Sequence, residues 1–586
     1  MSADMSADFT PEQKRYLEGL ASGVALARAA APPIAPGEAA GPEAAHRAAQ
    51  DRAVAAGGRL VDQEKWKRGE HPFDAYARLV REAAGGRAPP PEDNFRWRYH
   101  GLFYVAPAQT SFMARLRLPN GILNHWQMAG LADLAERHGG GYAHVTTRAN
   151  IQIREIGPAD AAAFLEGVQD LGLTARGAGA DNIRNVTGSP TAGIDPQELL
   201  DTRPLARAWH FHILNDRSLF GLPRKFNVAF DGGGVVPALE ETNDIGFQAV
   251  ALEPDGRVRM RLMLGGITGH RDIAGDTGIV CRPDECVAVA DAVVRVFIDH
   301  GDRTDRARAR LKYLLDDWGR PRFLAAVEER LGRPLERPGD AARPRAATDR
   351  FAHLGIHPQR QPGRHWLGVV VPVGRLEPAQ MRGLAEVARR FGDGDLRLTV
   401  WQNLIVSGVA ETDLAAAEAD LAAIGLGLHA SSIRAGLVAC TGNRGCKFAA
   451  SDTKGHALAI AEHVEGRLAL DMPVNVHLTG CHHSCAQHYI GDIGLIGARV
   501  PVGDEGDTIE GYDIVVGGGF AENARIGREL WNAVPAGECP ARIERLLRAY
   551  LLHRTGAQES FHAFANRHEP AALRGFVDTI HLAAAA

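Results

Sequence analysis

Four of the seven cysteines in this chain lie in two short, glycine-containing segments near its C-terminal end. Five residues separate Cys440 from Cys446, and three separate Cys481 from Cys485. Clustered thiolates are the ligands that select iron–sulfur clusters or zinc. Structural zinc sites favour pairs about two to four residues apart, so the wider first pair favours an iron–sulfur cluster, with zinc as the alternative. The other thiols are expected to be structural: Cys281, Cys286 and Cys539.

The residues around these cysteines resemble the nitrite and sulfite reductase family. The resemblance runs from about residue 103 to beyond residue 518. It implies that Cys440, Cys446, Cys481 and Cys485 hold a 4Fe–4S cluster, and that Cys485 also bridges to the iron of a siroheme. The segments that carry the resemblance are residues 437–443, 452–454, 479–481, 484–487 and 492–494.

Arginine and amide side chains form a second group that could do chemistry. Arg115 and Arg117 alternate with apolar residues on one predicted strand, and Arg148, Gln152 and Arg154 are predicted to share one face of another. Siroheme carries several carboxylates, and nitrite and sulfite are anions. Such a site requires fixed positive donors, and the guanidinium fork of arginine suits planar oxyanions.

Matched position by position, the resemblance implies roles for individual residues. The positions that contact substrate are Arg115, Arg184 and Lys225, with Asn227 beside them. The positions that hold siroheme are Arg148 and Gln152 and, with a less specific match, Arg117, Arg154, Gln402 and Asn403.

Asn227 favours one anion over the other. Sulfite reductases of the family carry a second lysine at this position, whereas the nitrite reductases that this chain resembles carry Lys-x-Asn, as in Lys225-Phe-Asn227. Sulfite is larger and more highly charged than nitrite, so it gains more from a second ammonium group. The sequence therefore predicts reduction of nitrite to ammonia, with reduction of sulfite as the alternative.

Two histidines depart from the family pattern. The family usually has Pro-Asn after the third cysteine, where this chain has His482 and His483. These side chains could donate hydrogen bonds to sulfur and raise the reduction potential of the cluster. Alternatively they are solvated, or they ligate zinc in a non-catalytic protein. A third relative, the monooxygenase of cobalamin synthesis, is disfavoured because Lys225 and both substrate arginines are retained.

The electron source is expected to be a separate protein. No G-x-G-x-x-G segment opens a βαβ unit, so neither NAD nor FAD has an evident site, and a ferredoxin or similar donor is predicted. The arginine-rich stretches 303–310 and 333–364 are candidate docking patches for an acidic donor.

Bulk properties are those of a globular protein. The chain has 586 residues, 45% of them hydrophobic, and a net charge of −5, which disfavours nucleic acid as the main partner. No run of apolar residues is long enough to span a membrane, and the N-terminal residues lack the features of a signal peptide. A cytoplasmic monomer is expected.

An internal duplication defines the elements that must position these residues. Pro119-Asn-Gly121 recurs as Pro372-Val-Gly374, and the same offset pairs Met128 with Met381. Each copy predicts a strand, a turn, an amphipathic helix and a strand. With the resemblance, this predicts an α+β, pseudo-two-fold fold in which two ferredoxin-like half-domains form one domain and two larger α/β domains clasp the cofactors.

The same patterns predict the limits of the domains. An N-terminal extension over residues 1–92, with a helix over about residues 10–29, has no legible function. The half-domains are predicted at 93–175 and 365–430, the larger domains at 176–332 and 431–586, and a linker at 333–364.

Overall fold

The computed structural model describes residues 41–339, 347–503 and 506–580. The helix predicted over residues 10–29 lies outside these ranges. The helices of the described chain are α1 (Ala44–Ala55), α2 (Asp62–Gly69), α3 (Tyr76–Ala83), α4 (Pro91–Trp97), α5 (His125–His138), α6 (Ala161–Asp170), α7 (Arg203–Asn215), α8 (Cys286–His300), α9 (Leu311–Trp318), α10 (Arg320–Leu331), α11 (Pro378–Phe391), α12 (Leu414–Ala423), α13 (Thr453–Glu465), α14 (Cys539–His553), α15 (Phe561–Arg567) and α16 (Pro570–Asp578).

The strands fall into two sets of similar order along the chain. The first set is β1 (Leu102–Tyr104), β2 (Phe112–Arg115), β3 (Ile122–Asn124), β4 (Ala143–Val145), β5 (Ile151–Ile156), β6 (Ile183–Gly188), β7 (Phe226–Asp231), β8 (Ile245–Leu252), β9 (Arg257–Leu264) and β10 (Gly275–Cys281). The second set is β11 (Gly355–Pro358), β12 (Arg364–Val369), β13 (Arg375–Leu376), β14 (Asp395–Leu398), β15 (Leu404–Ala410), β16 (Leu437–Ala439), β17 (Val476–Thr479), β18 (Ile493–Val502), β19 (Asp507–Val516) and β20 (Arg528–Pro535).

The two small sheets exchange a strand. Their orders are β1-β2-β5-β4-β13 and β11-β12-β15-β14-β3, so β3 pairs with a strand of the second half and β13 with a strand of the first. Within the first small sheet β5 is antiparallel to both β2 and β4, which is the split βαβ arrangement of a ferredoxin-like fold. The half-domains therefore form one unit, as predicted.

A shared apolar core stabilises this unit. α5 packs against α11, and the repeated Met128 and Met381 are both completely buried in the same apolar cluster. The repeated Pro-x-Gly turns precede the exchanged strands. A Cβ on Gly121 would lie 2.7 Å from the Cβ of Ala149, and one on Gly374 would lie 2.7 Å from the carbonyl oxygen of Val145. Both glycines also have positive φ angles, so these turns require glycine for space and for conformation.

The two large sheets repeat one topology. In each, three parallel strands are followed by two antiparallel ones, in the orders β6-β7-β8-β9-β10 and β16-β17-β18-β19-β20. The duplication predicted from the sequence thus extends through the large domains. The domain limits themselves stay a prediction. Among the residues described, no helix is both long and apolar enough to cross a membrane.

The described part of the N-terminal extension packs on the first large domain through buried charge. Glu64 is completely buried and bonds Arg303 at 2.7 Å and Lys67. Lys67 also donates to the carbonyl oxygens of Gly221 (3.3 Å) and Leu222 (2.9 Å), shortly before Lys225. The extension therefore supports, from behind, a loop that leads into the expected substrate site.

Glu64→Gln is expected to destabilise the protein because buried Arg303 would lose its carboxylate and Lys67 would keep only that of Asp181, at 3.7 Å. Removing one partner of a buried ion pair costs on the order of 3–5 kcal/mol. The midpoint of denaturant unfolding, followed by fluorescence, measures this change. Asp62→Asn is the matched control, since its pair with Lys65 is exposed and should contribute nothing measurable. Equal midpoints for the two variants would contradict the assignment.

Candidate active site

The four cysteines lie at the carboxyl ends of two parallel strands of the second large sheet. Cys440 directly follows β16, and Cys481 follows β17 after one glycine. The N–H of Gly480 donates to Cys440 Sγ at 3.2 Å, and the Thr453 hydroxyl donates to the Cys440 carbonyl at 2.7 Å. Loops at the carboxyl ends of parallel strands are the usual ligand sites of such sheets.

The four thiols act on one another electrostatically. Burial raises the pKa of Cys481 to about 12, and charge on Cys485, Cys440 and Cys446 acts in the same direction. Cys485 is accessible to solvent, and desolvation by the protein around it also raises the pKa of its thiol. In the described ranges no three His, Cys, Asp or Glu groups are placed to hold a single metal ion. Burial therefore disfavours the thiolates of Cys481 and Cys485, and a metal centre bound to them would offset that cost.

The first half-domain holds the cysteine loops in place. The Thr147 hydroxyl donates to the Cys485 carbonyl at 2.7 Å, and Arg154 Nη1 donates to the Gly445 carbonyl at 2.8 Å. Arg154 Nε is buried without a protein partner. Arg154, expected near the cofactors, therefore lies against the loop that joins the first two cysteines.

Three cations predicted from the sequence come together beside Cys485. Burial lowers the pKa of Arg115 and that of Lys225. The charge of Cys485 raises both, and for Arg115 it is the largest effect after burial. In the part of the chain that is described, neither side chain forms an ion pair or donates a hydrogen bond to protein. Arg184 donates to the carbonyls of Ala178 (2.9 Å) and Ala180 (2.6 Å), but its Nε is buried without a partner.

Half-buried cations without carboxylates indicate an anion site. Placing charge in a protein interior is costly unless a partner of opposite sign is present. Arg115 is held over the ring of Phe103, 4.8 Å from its centroid. Gln152 lies directly opposite Arg115 in the register of β2 and β5, so the two side chains share a face. This face of the first small sheet therefore presents donors toward Cys485.

Comparison with known proteins decides the family. A family model described as "Nitrite and sulphite reductase 4Fe-4S domain" matches residues 179–335 and 431–561. A second, described as "Nitrite/Sulfite reductase ferredoxin-like half domain", matches residues 106–171 and 357–424. The chain belongs to the nitrite and sulfite reductase family.

Individual relatives are similar over most of their length. The ferredoxin–nitrite reductase of Synechococcus elongatus is 36% identical over 81% of this chain and 92% of its own. The assimilatory ferredoxin-dependent nitrite reductase of Haloferax mediterranei is 32% identical over 88% and 93%. The structure of Mycobacterium tuberculosis NirA superposes with a TM-score of 0.82 at 28% identity, covering 89% and 99% of the two chains. The resemblance and the duplicated α+β fold are thereby confirmed.

The residues of this site fit the cofactors of the family. Nitrite and sulfite reductases hold siroheme and a 4Fe–4S cluster, so the cofactor prediction is confirmed and the zinc alternative is set aside. Four mutually interacting thiols suit a cluster that cysteine ligates. The unpartnered guanidinium and ammonium groups beside them suit the carboxylates of siroheme and an anionic substrate.

The side chains of three of the softer cofactor assignments bond the main chain, and their cofactor roles stay predictions. All the guanidinium nitrogens of Arg117 donate to main-chain carbonyls, including those of Arg176 (2.7 Å) and Gly177 (3.2 Å). The amide of Gln402 bonds both the N–H and the carbonyl of Ala439, each at 2.9 Å. Asn403 Oδ1 accepts from the N–H of Val371 at 2.8 Å. Arg117 and Gln402 are thus bonded to the main chain at each of their polar side-chain atoms, whereas the bond of Asn403 uses its oxygen. Gln402 nonetheless matters, since it orients the residue before Cys440.

Arg148 is not on the predicted strand. β5 begins three residues later, after a turn in which Ala149 has a φ of 45°. The Arg148 guanidinium instead reaches the first large domain, where Nη1 donates to Asn243 Oδ1 at 2.7 Å and to Thr242 Oγ1 at 3.1 Å. The shared strand face therefore contains only Gln152 and Arg154.

The expected docking patch at residues 303–310 is also wrong. Arg306 forms two 2.8 Å bonds with the buried carboxylate of Asp181, and Arg310 bonds buried Asp244 at 2.7 Å. Arg303 is the buried partner of Glu64 described above. In the second stretch, the described arginines are largely paired as well, such as Arg350 with Asp492 at 3.1 Å.

Some residues of the site were missed. Arg310 and Arg224 lie close enough to Lys225 to lower its pKa, after burial itself. Lys454, in a segment that carried the family resemblance, is buried near Cys440 with its pKa lowered to about 7 by burial. Asn227 is buried on β7, and its N–H donates to Asp244 at 2.8 Å, so the Arg310–Asp244 pair supports this strand. In the sequence, the signal for Arg310 was the high number of arginines in residues 303–310.

Replacing Cys446 by Ala is expected to abolish the cluster, because one of four thiolate ligands would be lost. Iron and acid-labile sulfide per chain, together with the visible spectrum, measure the loss. Cys539→Ala is the matched control, since this thiol is buried in the core of the second large domain. A Cys446→Ala protein with the sulfide content of the Cys539→Ala protein would remove Cys446 from the ligand set.

Proposed function

We propose that this protein reduces nitrite to ammonia with electrons from a separate ferredoxin-type donor. The observation that carries the proposal is the group of half-buried cations beside Cys485, of which Arg115 and Lys225 have no ion pair among the described residues, with a neutral amide, Asn227, two residues after Lys225. Relatives named as ferredoxin–nitrite reductases, from cyanobacteria, plants and an archaeon, are 32–37% identical. Sulfite remains the second candidate.

Cys440, Cys446, Cys481 and Cys485 would hold the cluster, with Cys485 also bridging to siroheme. Arg148 and Gln152 would face siroheme carboxylates, Arg148 with the donors not used by Thr242 and Asn243. When bound, the two cofactors supply the iron that takes the substrate and the path for single electrons.

The protein's own side chains would bind the anion and donate protons to it. Arg115, Arg184 and Lys225 would hold the oxygens of the anion by charge-assisted hydrogen bonds that strengthen as negative charge develops. The reduction consumes protons and releases water. Because burial lowers the pKa of Lys225, its Nζ gives up a proton more readily than an exposed lysine and suits a general acid. The surrounding cationic groups keep the oxygens oriented in a screened cavity.

A cytoplasmic monomer is part of the proposal. Cysteine ligands of a cluster must be reduced thiols, and a reducing compartment keeps them so. Donor dependence is tested by comparing turnover with reduced ferredoxin and with a reduced viologen dye at equal driving potential. Turnover with the dye but none with ferredoxin would argue against a ferredoxin-type donor.

Arg115→Leu, Arg184→Leu and Lys225→Met are each expected to lower kcat/KM for nitrite. Losing one charge-assisted contact in a screened site costs on the order of 2–4 kcal/mol at the transition state. Steady-state assays on protein with full cofactor content measure the loss. Arg308→Ala is the control, since Arg308 is exposed and paired with Asp317. Control-like activity in all three variants would place the substrate elsewhere.

Asn227→Lys is expected to lower nitrite turnover and raise sulfite turnover. A further charge a few ångströms from the anion changes its energy by on the order of 1–4 kcal/mol in a partly solvated site. The ratio of kcat/KM for the two anions is the measurement, and wild type should favour nitrite. Asn227→Ala separates loss of the amide from gain of charge. An unmoved ratio in Asn227→Lys, or wild type that prefers sulfite, would support the second candidate.

A further inference from the structure

One of the two unusual histidines contacts a cluster thiol and the other does not. His483 Nδ1 lies 3.3 Å from Cys481 Sγ. The ring of His482 lies tilted against that of His483, with centroids 4.3 Å apart and planes at 37°, and among the contacts of the described residues it has none to a thiol. The two adjacent imidazoles, similar in sequence, therefore have different surroundings.

The position of His483 is held from two sides. The ring of Phe448 packs edge-on against it, with centroids 5.3 Å apart and planes at 72°. Behind the segment, a Cβ on Gly269 would lie 3.1 Å from the His483 carbonyl oxygen and 3.3 Å from that of His482. A short turn of the first large domain thus lies against the backbone of residues 482 and 483.

The chemistry of a ligating cysteine fixes the direction of this contact. A thiol that binds a cluster is deprotonated, so its sulfur can only accept a hydrogen bond. The Nδ1 atom must then carry the proton and donate it, and the neutral ring has its lone pair on Nε2. Cys440 Sγ accepts the N–H of Gly480, a main-chain donor that any residue at that position other than proline would supply. Cys481 has a main-chain donor as well, the N–H of His483, and the contact with Nδ1 is an additional one that depends on the side chain.

We propose that His483 sets the reduction potential of the 4Fe–4S cluster by donating its Nδ1–H to the thiolate of Cys481. Reduction adds negative charge to the cluster and its sulfurs, and a hydrogen-bond donor stabilises that charge. The reduced state is therefore favoured, and the potential is higher than in a protein without this donor. The inference rests on the cluster and not on the choice of anion.

The test is an EPR-monitored redox titration of the cofactor-loaded protein and three variants. His483→Phe keeps an aromatic ring without a donor and should shift the midpoint to more negative potential. His483→Asn should restore much of it, because its amide nitrogen is as many bonds from the backbone as Nδ1. His482→Phe should match wild type. A midpoint unchanged in His483→Phe, or shifted equally in His482→Phe, would overturn the proposal.

A second measurement covers the case in which His483→Phe fails to bind the cluster. Wild type and His482→Phe are labelled with ¹⁵N-histidine, and pulsed EPR of the reduced cluster is recorded. A ¹⁵N coupling of equal size in both is expected, and its absence in both, or its loss in His482→Phe, would refute the bond. Nitrite turnover of wild type is measured in parallel, so failure of the proposed function would be seen separately.

Discussion

Positive charge buried beside the thiols is the interaction on which the rest of this structure depends. Arg115, Arg184 and Lys225 lie where burial lowers the pKa of each, and no carboxylate of the described chain neutralises Arg115 or Lys225. Such an arrangement is unfavourable on its own. It becomes favourable when anionic groups enter, which is why these cations, siroheme carboxylates and an oxyanion substrate belong together. Neighbouring arginines that are not assigned to anion binding are paired with carboxylates, as Arg310 is with Asp244.

The duplicated fold explains how one site obtains both chemical groups. The thiols follow the carboxyl ends of β16 and β17, whereas Arg184 and Lys225 lie at the amino ends of β6 and β7. The two equivalent sheets therefore contribute opposite ends of their strands to the same site. The exchanged strands β3 and β13 hold the half-domains together, and side chains of those half-domains reach the cysteine loops. Divergence of the two halves has separated cluster binding from anion binding without changing the topology.

Supports behind the site extend far from the cofactors. Lys67, in the N-terminal extension, bonds the carbonyls of Gly221 and Leu222, and Asp181 joins Arg306 to the same region. Gln402 orients the backbone that leads into Cys440. A cationic site needs such supports, because mutual repulsion would otherwise spread its members apart.

The sequence by itself determined the family, the cofactor class, the duplication and the positions of the cysteines. These are local features: the spacing of ligands, the residues that flank them, and turns such as that at Gly121 that demand glycine. Only the tertiary structure decided which cations face the site. Arg115 and Arg117 alternate on one segment, yet Arg117 is enclosed by carbonyls. Residues 303–310 looked like a surface patch, but Arg306 and Arg310 turn inward to Asp181 and Asp244, far away in the chain, while Arg308 stays exposed. A charged side chain is directed by its buried partners, and those partners come together only when the chain folds.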